Sequence, residues 1–152
     1  MSENIKCSVL VIGAGPGGYV AAIRAGQLGL DTVIVEGDRC GGTCLIRGCI
    51  PSKALIHAAT RFEEMERHTG AGHLGISVKS APEIDLAKTV SWKDGIVEQL
   101  NTGVEALLKK AKVRRIMGWA NFQNGKSCTV ETKEGAVTIT AEHVILANGS
   151  TP

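Results

Sequence analysis

Aromatic residues, charge of one sign and long apolar runs are all scarce in this chain of 152 residues. Aromatics make up 3% of the sequence, so we do not expect the stacking platforms that bind single-stranded nucleic acid. The 17 Lys and Arg residues nearly balance the 15 Asp and Glu residues, which predicts no nucleic-acid partner. With no run near the roughly 20 apolar residues of a membrane helix and no signal-peptide pattern, we expect a cytoplasmic protein without membrane contact.

Cysteine and glycine are the residues that stand out. The chain has five cysteines, and an odd number argues against a framework of stapling disulfides and favours chemistry at a subset of them. It has 19 glycines in 152 residues, about 12%, against a typical content of about 7%. Ten of the glycines lie before residue 50. We therefore predict a segment near the N-terminus that needs bare backbone.

The first 36 residues have the pattern of a βαβ unit. Residues 7–12 form an apolar, β-branched run that ends in glycine, which is typical of a buried strand. An Ala-rich stretch over 19–28 predicts a helix that ends near Gly29, and residues 31–36 predict a second buried strand. We expect the sheet to begin parallel, because a βαβ crossover joins parallel strands.

The rest of the chain predicts two helices and a set of short strands. A Gly- and Cys-rich loop over 37–51 precedes helical spacing at 52–67 and 91–112. Short β-like runs then occur at 115–120, 128–132, 136–140 and 143–147. We predict an α/β fold: a Rossmann-like βαβ domain with a parallel sheet and a C-terminal β-meander.

Gly13, Gly15 and Gly18 satisfy G-x-G-x-x-G between the first strand and the first helix, and Glu36 ends the next strand. In this pattern Gly13 permits a tight turn, Gly15 lets the backbone approach a pyrophosphate, and Gly18 lets the helix lie close to the sheet. Glu36 would accept hydrogen bonds from a ribose hydroxyl, which favours an unphosphorylated adenosine ribose. The alternative is that the glycines serve only a tight βα turn, and the motif by itself does not distinguish NAD from FAD.

Cys44 and Cys49 stand five residues apart at the start of a predicted helix. In a regular helix their Cα atoms would be about 8.6 Å apart, and a disulfide tolerates no more than about 7 Å. They can pair only if the first turn is distorted, which Gly48 and Pro51 allow. A pair at a helix start suits redox exchange, because the helix end lowers a thiolate pKa. Two alternatives stay open: inert thiols, and a metal site that includes Cys40, whose spacing matches no common zinc or cluster pattern. We predict no metal.

Four segments carry a resemblance to a known family: GAGPGGYVAAIRAGQLG, GGTCLIRGCIPSKAL, SWKDGIVEQLNTGVEALLKK and the closing LANGS. The chain resembles the N-terminal, FAD-binding part of the flavoprotein disulfide reductases, the class I pyridine nucleotide-disulfide oxidoreductases. Ser52-Lys53 after Pro51 is most similar to the dihydrolipoamide dehydrogenases. The resemblance implies oxidation of dihydrolipoamide to lipoamide, with electrons passing from the cysteine pair to FAD and then to NAD. It implies as partners dihydrolipoamide, free or on a 2-oxo acid dehydrogenase complex, and a second copy in a homodimer.

The resemblance also implies roles for individual residues. Cys44 would exchange with the substrate dithiol, and Cys49 would lie against the flavin ring and pass electrons to FAD. Thr43 would approach the flavin end of the cofactor, Lys53 would lie near flavin N5, and the backbone of residues 118–120 would meet the adenine. The implied cofactor-binding residues are Gly13, Gly15, Gly17, Gly18, Glu36, Gly42, Thr43, Lys53, Gly118, Ala120 and Gly149.

The chain departs from the family pattern in places. Ile46-Arg47 replaces Asn-Val and puts a positive charge beside the thiols, Asn148 replaces a threonine, and Gly26 replaces an alanine, which costs about 1 kcal/mol of helix propensity. The family's enzymes add NAD-binding, central and interface domains. We therefore expect residues 1–152 to be the FAD-binding domain of a truncated or fragmentary enzyme, inactive alone, with the NAD site elsewhere. Alternatives are a mercuric- or glutathione-reductase-like enzyme and a non-catalytic nucleotide-binding fragment.

Overall fold

A single mixed sheet organises the chain, whose computed structural model describes residues 3–70 and 74–150. The elements are β1 (Glu3–Ile12), α1 (Pro16–Gln27), β2 (Thr32–Glu36), α2 (Gly42–Ile46), α3 (Cys49–Arg67), α4 (Leu86–Lys110), β3 (Arg114–Met117), β4 (Trp119–Asn124), β5 (Ser127–Thr132) and β6 (Gly135–Leu146). The strand order is β3-β2-β1-β6-β5-β4; the first four strands are parallel, and β6, β5 and β4 form an antiparallel meander. This confirms the predicted α/β fold with a parallel sheet and a C-terminal meander.

Two apolar clusters, one on each face of the sheet, form the core. On the helical face, side chains of β1 and β2 meet small residues of α1 and the apolar side of α4, including Val11, Ala22, Ile34, Val104 and Leu108. The opposite cluster joins β1 and β2 to the meander, and its members include Leu10, Val33, Val35, Val130 and Ile139. Burial on both faces explains why β1 and β2 are nearly continuous apolar runs.

The sheet curls until its two edge strands meet. β3 and β4 lie at opposite ends of the strand order, yet Gly118 alone separates them in the chain. A Cβ at Gly118 would lie 2.2 Å from the backbone oxygen of Glu131, so only glycine fits. The Gly118 N–H donates to the Glu36 oxygen at 2.9 Å. This junction brings the meander back to the end of β2.

Helix ends follow local chemistry. Gly29, at φ +80°, follows α1 and its cap residue Leu28, which agrees with the predicted helix end. α4 begins five residues before the predicted start because the Asp85 side chain caps it by accepting from the Lys88 N–H. No helix within 3–70 or 74–150 is long and apolar enough to cross a membrane.

Three sequence-based assignments differ from the structure. Residues 37–51 are not entirely a loop, since they contain α2 and the start of α3. The run 115–120 is divided between β3 and β4 at Gly118. The runs 136–140 and 143–147 fall in one strand, β6, which ends at Leu146. The strand continues because β1 pairs with β6 from Val137 to Leu146, past Thr140, where the pairing of β6 with β5 stops.

Gly26 is explained by packing. A Cβ at this position would lie 2.2 Å from the backbone oxygen of Ala111, whereas a Cβ at Gly103, also within a helix, meets nothing within 4 Å. We predict that Gly26→Ala destabilises the protein by about 1–3 kcal/mol through overpacking, and that Gly103→Ala stabilises it by up to about 1 kcal/mol through helix propensity. Denaturant unfolding of both variants measures the two changes in stability. Equal gains in stability would contradict the close contact of residue 26 with the Ala111 oxygen.

Candidate functional site

The turn between β1 and α1 closes so tightly that side chains are excluded from it. Gly13 has φ +94°, and a Cβ there would lie 2.4 Å from the Ala147 oxygen at the end of β6. A Cβ at Gly18 would lie 1.8 Å from the Gly13 oxygen. Gly18 therefore permits contact with the turn itself and with Ala147. The positions of Gly17 and Gly149, by contrast, are open, with no atom within 4 Å of an added Cβ.

The Glu36 carboxylate holds two loops together. Its Oε2 accepts the Ala14 N–H at 2.6 Å, and its Oε1 accepts the Asp38 N–H at 2.9 Å. A carboxylate offers about four acceptor sites, so capacity remains for the ribose hydroxyls expected from the sequence. Trp119 packs against the Gly37 backbone, which leaves the end of β2 bordered by Gly118 and an indole ring.

A contact between two glycines joins the cysteine-bearing loop to the β1–α1 turn. A Cβ at Gly42 would lie 2.6 Å from the Gly15 Cα, and Gly42 has φ +62°. The preceding Gly41, at φ +111°, donates its N–H to the Ala14 oxygen at 2.7 Å. The two loops therefore meet backbone to backbone, and α2 begins directly beside the N-terminus of α1.

Cys44 and Cys49 lie on different helices whose ends adjoin. α2 ends at Ile46 and α3 begins at Cys49, with Gly48 as its cap residue. The predicted distortion is therefore a full break between two helices. Both cysteines are free thiols, with Cys44 half-buried and Cys49 exposed.

The electrostatics of the pair differ from the expectation at Cys44. Its pKa is raised above the ordinary value, chiefly by the hydrogen bond with the Cys49 side chain, then by burial and the charge of Cys49; the Cys49 backbone and the Lys53 ammonium lower it. The interaction with the Cys49 side chain outweighs the lowering by the Cys49 backbone at the start of α3, so the net pKa of Cys44 is raised where the helix start alone predicted a lowered value. Arg47 forms an ion pair with Asp38 on the surface.

The other predicted site residues divide between the two ends of this region. Thr43 and Lys53 are exposed residues of α2 and α3, on the side of the thiols. Gly118 donates its N–H to the backbone oxygen of Glu36, at the end of β2, and Ala120 lies two residues further on, in β4. Both are therefore on the Glu36 side of the region. A nucleotide held along Gly15 and Glu36 would therefore connect the two groups.

The remaining cysteines are buried away from the pair. Burial raises the pKa of Cys7 to about 11, with a smaller contribution from Asp31, and burial also raises the pKa values of Cys40 and Cys128. Cys7 packs in β1, as predicted, and Cys40 and Cys128 are fully buried. That these two take no part in exchange stays a prediction. In the described ranges no three His, Cys, Asp or Glu side chains are grouped so that they could hold a metal ion.

Three residues of this region were not anticipated from the sequence. Ala14 donates its N–H to Glu36, and its oxygen accepts from the Gly41 N–H. Its position inside the glycine motif is the sequence feature that could have indicated this role. Gly41 stands out in the sequence only as one glycine of the Gly- and Cys-rich stretch 37–51. Asn101, which donates from α4 to the Cys40 oxygen at 2.5 Å, shows no signal, because an asparagine on a predicted helix face is usually exposed.

The fold and these contacts define a dinucleotide-binding α/β domain that carries a thiol pair beside its glycine turn. The family model for pyridine nucleotide-disulphide oxidoreductases matches residues 7–152, and the chain belongs to this family. Members of the family use FAD and a pyridine nucleotide.

Individual relatives agree with this membership. The chain is 56% identical over 151 residues to a dihydrolipoyl dehydrogenase of Pseudomonas aeruginosa, covering 99% of this chain and 32% of that protein. It is 50% identical to a dihydrolipoyl dehydrogenase of Halobacterium salinarum, covering 95% and 30%. A solved structure of the flavoprotein disulfide reductase RclA of Escherichia coli superposes with a TM-score of 0.78 at 25% identity, covering 97% of this chain and 30% of that one. The chain thus spans about a third of the length of these relatives.

The effect of the Cys49 side chain on the pKa of Cys44 predicts a pH dependence. In the wild type the Cys44 thiolate should form only as pH rises through its raised pKa, so alkylation of Cys44 in the reduced protein should be slow at pH 8. Cys49→Ala removes the group that raises the pKa and should speed alkylation at pH 8, whereas Lys53→Met removes a group that lowers it and should slow alkylation. Rates of iodoacetamide labelling against pH, mapped by mass spectrometry, measure both shifts; identical profiles in all three proteins would refute the assignment.

Proposed function

We propose that this chain is the FAD-binding part, residues 1–152, of a dihydrolipoyl dehydrogenase. The enzyme would oxidise dihydrolipoamide, free or carried on a 2-oxo acid dehydrogenase complex, and reduce NAD, acting as a homodimer. The observation that carries the proposal is the placement of Cys44 and Cys49 on two helices that adjoin, α2 and α3, beside the glycine turn that Gly42 touches. The names of the relatives from Pseudomonas aeruginosa and Halobacterium salinarum support the choice of substrate.

The residues present fit FAD. The bare backbone at Gly13, Gly15 and Gly18 allows a pyrophosphate to approach the N-terminus of α1, where amides and the helix dipole favour an anion. Glu36 would accept from the adenosine ribose, and Gly118 and Ala120 would border the adenine. Gly17 and Gly149 would leave space along the cofactor, and Gly42 would hold the cysteine-bearing loop against the Gly15 backbone. Thr43 and Lys53 would lie toward the flavin end.

When bound, FAD would accept two electrons and pass them to NAD. The chain's own residues would carry the thiol chemistry. A thiolate of dihydrolipoamide attacks Cys44 in the Cys44–Cys49 disulfide, forming a mixed disulfide and releasing Cys49 as a thiolate. The second substrate thiolate then closes the lipoamide disulfide and releases Cys44, so the substrate loses two electrons and two protons, and the cysteine pair gains the electrons. The exposed face of Cys49 is where the flavin ring would lie.

This cycle suits a cytoplasmic setting. A pair that alternates between dithiol and disulfide is the transient, catalytic kind of disulfide that occurs where thiols are mostly kept reduced. The buried state of Cys7, Cys40 and Cys128 keeps those thiols out of exchange with the pair.

The function is tested by variants of the full-length protein in an assay of dihydrolipoamide-dependent NAD reduction. Cys44→Ser and Cys49→Ser should each lower turnover at least about a thousandfold, because each removes an atom of the exchanging bond. Cys128→Ala, at a buried cysteine outside the pair, should retain turnover. Mass mapping of the oxidised protein should find Cys44 linked to Cys49. A disulfide from Cys40 to either of them, or reduction of glutathione disulfide in place of dihydrolipoamide oxidation, would contradict the proposal.

The nucleotide assignment has a separate test. Glu36→Ala should weaken FAD binding by about 1.5–3 kcal/mol, through loss of charge-assisted hydrogen bonds to the ribose. Glu36→Gln, which keeps an acceptor for the Ala14 N–H, should lose less. Titration of the apoprotein with FAD, followed by flavin fluorescence, measures both. Purification of the protein with NAD in this site and no flavin absorbance would show the assignment to be wrong.

A further inference from the structure

The peptide unit between Cys40 and Gly41 is held at both of its polar ends. Its carbonyl oxygen accepts from Asn101 Nδ2 at 2.5 Å, and its N–H donates to the Ala14 oxygen at 2.7 Å. Cys40 is fully buried, and Asn101 is 5% exposed. Rotation of this peptide plane would break both hydrogen bonds and leave buried polar groups without partners, which is costly.

The orientation of that peptide sets the direction of the chain toward Cys44. Gly41 and Gly42, with φ +111° and +62°, turn the chain into α2, whose third residue is Cys44. Because glycine has wide conformational freedom, these two residues do not by themselves fix the turn. The fixed peptide before them, together with the contact of Gly42 with Gly15, supplies the constraint that sets the approach of Cys44 to Cys49.

Asn101 stands out among its neighbours on α4. The adjacent buried positions on the helix are apolar, Val97, Val104 and Leu108. A polar side chain in this row is unfavourable unless it is hydrogen-bonded. Its partner, the Cys40 oxygen, lies 61 residues away in sequence, so the bond connects α4 to the loop that carries the thiol and not to its own helix.

We propose that Asn101 is a positioning residue for the Cys44–Cys49 pair: by holding the Cys40 carbonyl it orients the loop so that the two thiols meet. The inference rests on the proposed function only in that the two cysteines exchange electrons. Loss of the hydrogen bond frees the loop in the dithiol, so closing the disulfide costs more conformational entropy and the disulfide becomes easier to reduce.

The test is a redox equilibrium with glutathione, in which glutathione disulfide and the dithiol give the Cys44–Cys49 disulfide and two reduced glutathiones. A mixed disulfide forms at Cys44, and the Cys49 thiolate attacks it and expels the second glutathione thiolate. In the full-length protein, Asn101→Leu should lower the equilibrium constant about two- to tenfold, the factor that corresponds to one net hydrogen bond. It should also prolong the mixed disulfide.

Val104→Ala is the matched control, because it loosens the same buried face of α4 without removing a hydrogen bond to the Cys40–Gly41 peptide. Its equilibrium constant should equal that of the wild type even where its stability falls. Asn101→Ser, which is shorter and cannot span the same distance, should behave as Asn101→Leu and serves if the leucine variant does not fold. Wild-type constants in both Asn101 variants, or an equal shift in Val104→Ala, would overturn the inference while leaving the proposed function intact. A wild type that forms no Cys44–Cys49 disulfide would overturn the proposed function itself.

Discussion

The close approach of two backbones, at Gly15 and Gly42, is the constraint on which the rest of the site depends. One glycine caps α1, the helix that follows the first strand, and the other begins α2, which follows the second strand. Because neither carries a side chain, the two loops touch through main-chain atoms, with a virtual Cβ at Gly42 only 2.6 Å from the Gly15 Cα. The thiols are thereby held a few residues from the place where a pyrophosphate would bind. The fold achieves this at the carboxyl ends of parallel strands, where open α/β sheets usually bind their ligands.

A chain of hydrogen bonds links the two functional ends of the site. The Glu36 carboxylate accepts from the Ala14 N–H, the Ala14 oxygen accepts from the Gly41 N–H, and the Cys40 oxygen accepts from Asn101. These bonds run from the residue that would hold a ribose to the loop that carries Cys44. The same peptides therefore serve the nucleotide turn and the thiol loop.

The sequence predicted those parts of the molecule whose chemistry is local. Gly13 and Gly18 follow from the turn they occupy, and the break between Cys44 and Cys49 follows from helix geometry with Gly48 between them. The length of β6 was missed because its continuity depends on pairing with β1, which no local pattern reports. The raised pKa at Cys44 and the contact of Asn101 with Cys40 were missed for a related reason: each depends on a neighbour placed by tertiary packing.

The affinity of FAD for Gly42→Ala, compared with Gly70→Ala, tests the central claim most directly. Both substitutions place a side chain at positive φ, +62° and +85°, but an added Cβ meets Gly15 at the first position and nothing within 4 Å at the second. If the approach of the two backbones holds the site together, Gly42→Ala should weaken FAD binding at least about tenfold through overpacking, and Gly70→Ala should leave it unchanged. Equal affinities for the two variants would contradict the account.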